Sequence, residues 1–335
     1  MREDAAVNAT RVGPLRSVLR RTPVPVRVRW HRLVQHACVV RSHGVFDYAR
    51  WTYSKCATCL KGVAARRHYR ILTEQELRAR RRSDRVFIFG SGYSLNDITP
   101  AEWRSLAEHD VFGFSGFVHQ QWIPVGFHLI RAWDEGAIGQ ARVRRTARAY
   151  AQQLEANPLF ESAVLLIQKD LTAMFGNTLV GDRLLRTGRG LFLFKTAESL
   201  DGLPTDAFRR GLTHTAGTLS DCINAASLIG WREIVLVGVD LYDSRYFWAP
   251  ADRTLAFEKG GETMMPMERN TRGIHWSQPH NTVDNGLVGT MSAWRSELAR
   301  RGIVLSVYNP RSLLAGVLPV YRNVPAEPRM SYIGG

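Results

Sequence analysis

Three short stretches of this sequence place residue types suited to phosphate and proton chemistry at the ends of apolar runs. In Gly90-Ser91-Gly92-Tyr93-Ser94-Leu95 the glycines permit a tight turn close to a phosphate, and amide N–H groups and serine hydroxyls can donate to its oxygens. The stretch lacks the third glycine of a dinucleotide fingerprint and the lysine of a P-loop, and an ordinary strand-to-helix turn has the same composition. His214-Thr215-Ala216-Gly217-Thr218 opens a small-residue segment that can receive a phosphate or ribose at a helix N-terminus. Val237-Gly238-Val239-Asp240-Leu241-Tyr242 then ends in an acid and a phenol, although Asp240 capping a loop and a half-buried Tyr242 explain these residues without chemistry. Last come His275 and Pro279-His280-Asn281-Thr282, where a histidine between a long loop and a helix start can accept a proton near neutral pH. A structural part is the alternative for any one of the ten histidines. No GxSxG elbow supports a Ser-His-Asp hydrolase. Trp133-Asp134-Glu135 has no second close acidic pair to help it hold a metal, so no metal is expected.

The elements that would position these residues alternate. Arg85-Val86-Phe87-Ile88-Phe89, closed by Gly90, reads as a buried parallel strand, and Thr99-Pro100-Ala101-Glu102 starts a helix running to about His109. Further strands are expected at Val111–Phe114, Phe127–Ala132, Ala163–Ile167, Leu191–Phe194, Glu233–Val237 and Ile303–Val307, with helices near 138–156, 217–229 and 284–301. Such alternation predicts an α/β fold with a mostly parallel, Rossmann-like sheet flanked by helices. Phe247 to Pro279 has no periodicity and follows a strand end, which makes a lid over a ligand the expectation.

Charge divides the 335 residues unevenly. Residues 1–82 hold 19 Lys+Arg against 5 Asp+Glu, a balance of +14, whereas the remainder holds 26 against 25. This predicts a basic N-terminal arm over 1–82, a body over 83–320 with its lid at 247–280, and a tail over 321–335. The arm starts with three prolines among arginines and closes with a helix from Thr73 to Arg82, where Thr73 and Glu76 form a capping box. Basic segments attract phosphates of any origin, nucleic acid or anionic lipid, and the near-neutral body weakens the case for nucleic acid. Four cysteines are too few for a disulfide framework; Cys56 and Cys59, with Cys38, His36, His43 and His68, could hold zinc but more readily serve structure, and Cys222 reads as a small core residue. The N-terminus lacks an apolar secretory segment and no run approaches a membrane span, so a cytoplasmic protein is expected.

Taken in order, several of these motifs resemble bacterial sialyltransferases of glycosyltransferase family 42 and the related DUF115 and motility-accessory proteins. The matching parts are Phe87–Leu95, Thr215-Ala216-Gly217, the run from Ala225 to Ile234 leading into Val237–Tyr242, His280, and Asn309-Pro310-Arg311-Ser312-Leu313-Leu314. They span roughly 85–318. The resemblance implies a GT-A-like variant of the fold and an inverting, metal-independent transfer of a sugar from a CMP-activated donor, without a cofactor. By position, Gly90, Ser91, Gly92 and Ser94 would meet the phosphate or ribose, and Asp240 would hold the nucleoside. Ser115 stands where the family has an asparagine, and Ala216, between Thr215 and Gly217, where it has a serine. Tyr242 and Tyr246 resemble the two tyrosines that stabilise the departing phosphate, and His280 the general base. Thr213 stands where the family has an arginine, with Arg209 and Arg210 nearby.

The expected function is therefore transfer of a sialic or related nonulosonic acid to a glycan or lipid-linked acceptor. The enzyme would sit at the inner membrane surface through its arm, with self-association left open. The rivals are a DUF115-like pyrophosphokinase using ATP and a divalent ion, and a nucleic-acid-binding protein acting through the arm.

Overall fold

The structure is a computed structural model that describes residues 40–41, 44–131, 140–170, 173–197, 202–215, 217–243, 245–248, 283 and 286–322. The chain divides into two compact units, residues 1–54 with 136–138 and residues 55–135 with 139–335. The described part of the first unit is mainly the start of helix α1 (Val45–Ala65), on which Phe46 and Tyr53 are exposed.

The second unit is built on eight parallel strands. They are β1 (Arg70–Ile71), β2 (Arg85–Phe89), β3 (Asp110–Phe114), β4 (Phe127–Ile130), β5 (Val164–Gln168), β6 (Gly190–Phe194), β7 (Glu233–Val237) and β8 (Val304–Val307). Their order across the sheet is β1-β6-β5-β4-β3-β2-β7-β8. Side chains of a strand point alternately to opposite faces, so a strand buried on both needs an apolar residue at every position. β2 meets that condition: Val86 and Ile88 join one core layer, and Phe87 and Phe89 the other. Helices α2 (Glu74–Ala79), α6 (Thr218–Ile229) and α7 (Leu287–Arg300) cover the first face. Helices α3 (Pro100–Ala107), α4 (Gln140–Ala156) and α5 (Met174–Gly181) cover the second. The fold is thus the α/β Rossmann-like sheet that the alternation predicts.

The capping boxes form as the sequence reads. The Thr73 hydroxyl accepts from the Glu76 amide and the Glu76 carboxylate from the Thr73 amide, and Thr99 and Glu102 do the same with Pro100 in the first turn. The domain boundary at 82 needs correction. β1 pairs with β6 through Arg70↔Gly190 and Ile71↔Leu191, and Leu72 and Leu77 lie in the core, so part of the basic arm is structurally body. Charge reports what a surface shows to water, not which backbone completes a sheet. The tail boundary shifts as well, because the Tyr321 amide donates to the Val307 carbonyl at 2.8 Å and its ring meets Phe87 edge-on. Of the expected lid, only Phe247 and Trp248 are described, and Trp133-Asp134-Glu135, Cys38, His36 and His43 lie outside the described residues. Cys56 and Cys59 sit free on α1, and Cys222 is buried in α6. No helix among the described residues is long and apolar enough to cross a membrane.

Candidate functional site

From β2 the chain builds outward through β3, β4, β5 and β6 on one side, then returns to add β7 and β8 on the other. The order reverses between β2 and β7, and the loops leaving two such strands diverge to open a crevice at their C-terminal ends. These loops are Gly90–Leu95 and Gly238–Tyr242.

The loops touch backbone to backbone. The amide of Gly90 donates to the Val237 carbonyl and that of Gly92 to the Gly238 carbonyl, both at 2.8 Å. A Cβ on Gly90 would stand 2.5 Å from the Gly238 oxygen, and one on Gly92 2.4 Å from Asp240 Oδ2. Gly238 itself has φ +64° and sits over Leu95. The glycines are therefore required by loop contact, and the amides of Gly90 and Gly92 are already bonded across the two loops.

Asp240 is 2 % exposed and turned into this turn. Its Oδ2 accepts from the Ser94 amide at 2.8 Å, and its Oδ1 accepts from the Ser94 hydroxyl and from Asn309 Nδ2 at 3.1 Å. Both Ser94 donors are thus also engaged, and Asp240 braces the turn rather than presenting itself to a ligand. Burial raises its carboxyl above the ordinary value of 3.8, against the lowering effect of its Ser94 and Asn309 bonds. The folded protein then holds a proton there at a pH where the unfolded chain has lost it. Stability accordingly falls as pH rises from 3.8 through the raised value. The near-isosteric Asp240→Asn should flatten that part of the profile; matching slopes for wild type and variant in urea melts from pH 3.8 upward would contradict the assignment.

Beside this brace stands Tyr242. The Tyr242 hydroxyl accepts from Asn309 Nδ2 at 3.3 Å, and the Arg311 guanidinium lies 5.8 Å from its ring centre while pairing with Asp97. Burial raises the Tyr242 phenol, which keeps its proton for donation at neutral pH. Tyr246 reaches the same turn by another route. It forms an antiparallel bridge with Gly92, and the next amide, of Phe247, donates to the Ser91 carbonyl at 3.1 Å. Tyr246 stacks on Trp248 with ring centres 4.5 Å apart, while Phe247 points inward against Trp122. Ser91 faces the turn after β3, its hydroxyl 3.2 Å from where a Cβ on Gly116 would lie, and Ser115 there adopts a left-handed φ of +49°.

Gly90, Ser91, Gly92, Ser94, Asp240, Tyr242 and Tyr246 are thus brought together. Thr215 and Gly217 lie instead at the start of α6, where the Thr215 amide donates to Ser220 Oγ at 2.9 Å and Gly217 is the N-cap with φ +120°. Ala216 and His280 lie outside the described residues. Thr213 is buried and bonded to Asn224 and Leu203, and Arg210 pairs with Asp206 at the surface.

Arg245 was not singled out from sequence. It forms a forked pair with Asp243, Nη2 to Oδ2 at 2.6 Å, and its guanidinium lies 3.7 Å from the Tyr93 ring centre. The Asp243 bonds raise its pKa further, fixing a positive charge beside the glycine turn. The available signal was the Asp-x-Arg spacing just before Tyr246. Among the described residues no group of three or more His, Cys, Asp or Glu side chains could hold a metal ion. A scan of known protein families and a search of curated proteins found no match to this chain.

Proposed function

We propose that this chain is a transferase that binds a CMP-activated acidic sugar at the reversal between β2 and β7 and passes the sugar to a hydroxyl of a glycan or lipid-linked acceptor. The observation that carries this reading is that the loop after β7 pairs the backbone of Tyr246 with Gly92 and holds the phenol of Tyr242, four residues earlier, on Asn309, which also bonds Asp240. When the bond to the sugar breaks, the departing phosphate gains negative charge, and protonated phenols at its oxygens can stabilise that charge through preorganised hydrogen bonds. The resemblance to family 42 supplies the donor class and the inverting, metal-independent course. The acceptor hydroxyl attacks from the face opposite the phosphate and gives up its proton, a step the resemblance assigns to His280. The basic N-terminal arm, rich in arginine through residue 39, would hold the enzyme at anionic lipid on the cytoplasmic side.

Ligand-dependent melting tests the reading. Saturating CMP is expected to raise the melting temperature, since ligand at about 100 times its Kd adds about 2.7 kcal/mol. Stabilisation by ATP with magnesium and not by CMP would support the pyrophosphokinase instead, and no response to CMP overturns the transferase.

A further inference from the structure

Beyond the glycine turn, the C-terminal ends of β4, β5 and β6 carry a second connected set of polar groups. At its centre is Asp221, with no exposed side-chain surface, in the first turn of α6. Arg131 Nη1, just past β4, donates to Asp221 Oδ1 at 2.9 Å, and His214 Nδ1 lies 2.6 Å from Oδ2. Arg131 is itself anchored by Thr196 Oγ1 at 3.1 Å, and Thr196 donates through its hydroxyl and amide to Asp170 at 2.7 and 2.9 Å. Gln168, ending β5, donates to the same Asp170 at 2.9 Å.

A carboxylate offers the imidazole only acceptors, so the proton of neutral His214 is fixed on Nδ1 and Nε2 is left as the accepting nitrogen. A third of the His214 side chain is exposed, which leaves the ring within reach of a ligand, whereas the carboxylate behind it is sealed. The next residue points the same way: the Thr215 hydroxyl is buried and has no hydrogen-bond partner among the described residues. A base held by a carboxylate that is in turn held by a third group is the arrangement that activates hydroxyl nucleophiles.

We infer that His214, positioned by Asp221 and Arg131, accepts the proton of the acceptor hydroxyl. This rests on the transferase reading and assigns the base to a residue other than His280. β4 lies two strand spacings from β2, about 10 Å, so an acceptor over β4 to β6 would flank a donor at the glycine turn. As the hydroxyl oxygen forms its bond to the anomeric carbon, its proton moves to Nε2. The bond from that carbon to the CMP phosphate breaks, and the electron pair leaves with the phosphate. The Asp221 carboxylate offsets the charge gained by His214.

The test uses the full-length protein and His214→Asn, whose amide keeps the bond to Asp221 but has no Nε2. CMP-sialic acid and lactose serve as donor and acceptor probes. The variant is expected to melt near the wild-type temperature, to keep the stabilisation by CMP, and to transfer at least about 100-fold more slowly. Long-range proton–nitrogen spectra should show His214 with its proton on Nδ1. The inference is overturned by a proton on Nε2, or by transfer in His214→Asn within about tenfold of wild type. A wild type that neither responds to CMP nor transfers from the donor would fail the transferase reading itself, leaving the tautomer to judge His214.

Discussion

Asp240→Ala is expected to cost about 2–4 kcal/mol in urea unfolding and to abolish stabilisation by CMP. The carboxylate satisfies the amide and hydroxyl of Ser94, a residue only 8 % exposed, and the amide of Asn309. Removing it leaves buried donors without an acceptor, and each such loss costs about 1–3 kcal/mol, partly offset because an unfavourably buried carboxyl disappears. Asp240→Asn keeps the shape of the side chain and one accepting oxygen but turns an NH2 toward a buried donor, so its cost should lie below that of alanine, at about 1–3 kcal/mol. If Asp240→Ala unfolds at the wild-type urea concentration, the carboxylate does not hold the turn. If the alanine variant still responds fully to CMP, the turn is not where the nucleotide sits.

The second large effect lies at Gly90. A methyl group there would stand 2.5 Å from the Gly238 carbonyl oxygen, a backbone atom fixed between β7 and Leu95. Neither side can yield without parting the loops, so Gly90→Ala should cost about 2–4 kcal/mol and weaken CMP binding along with it. Gly289→Ala provides the opposite case: it lies on α7 with nothing within 4 Å of a new methyl, and it should add about 0.5–1 kcal/mol by helix propensity. Equal melting temperatures for the two variants would remove loop contact as the reason for glycine at 90.

The fold was legible in sequence wherever an apolar run had a clear stop. β2 and β7 match their expected limits, 85–89 and 233–237, and the ends of the other expected strands move by only one or two residues. Helices with caps were equally readable, as Thr73-x-x-Glu76 and Thr99-Pro100 show. α1 and α5 were not. α1 mixes charged, aromatic and cysteine residues and exposes Phe46, Tyr53 and Leu60, so no clean stripe marks it. α5 is buried on all sides and has no side-chain cap, so it lacks amphipathic contrast. β1 is two residues long and owes its existence to β6, which no local pattern reveals.

At the candidate site, the strand order brings several of the residues singled out from sequence together and gives them partners within the protein. The glycines at 90 and 92 suggest phosphate contact because glycine exposes amides, yet here those amides join two loops. The resemblance gives Asp240 to a nucleoside, while in the fold its carboxylate is buried against Ser94. Such distinctions depend on which loop lies opposite, which only the strand order decides. His214 and Asp221 were adjacent to a motif in the sequence, but their bond needs a helix turn to bring them face to face.

The order of the strands also sets when the molecule can become complete during synthesis. Ser94 waits for Asp240, 146 residues further along, and Asp240 for Asn309 another 69 residues on. At ~5–20 residues per second the ribosome needs roughly ten seconds or more to supply them. During that time β2 has β3 on one flank and an open edge on the other, a non-local topology of the kind that folds slowly and exposes unpaired backbone. The nascent chain is therefore most vulnerable to aggregation while the crevice between β2 and β7 is still only half made.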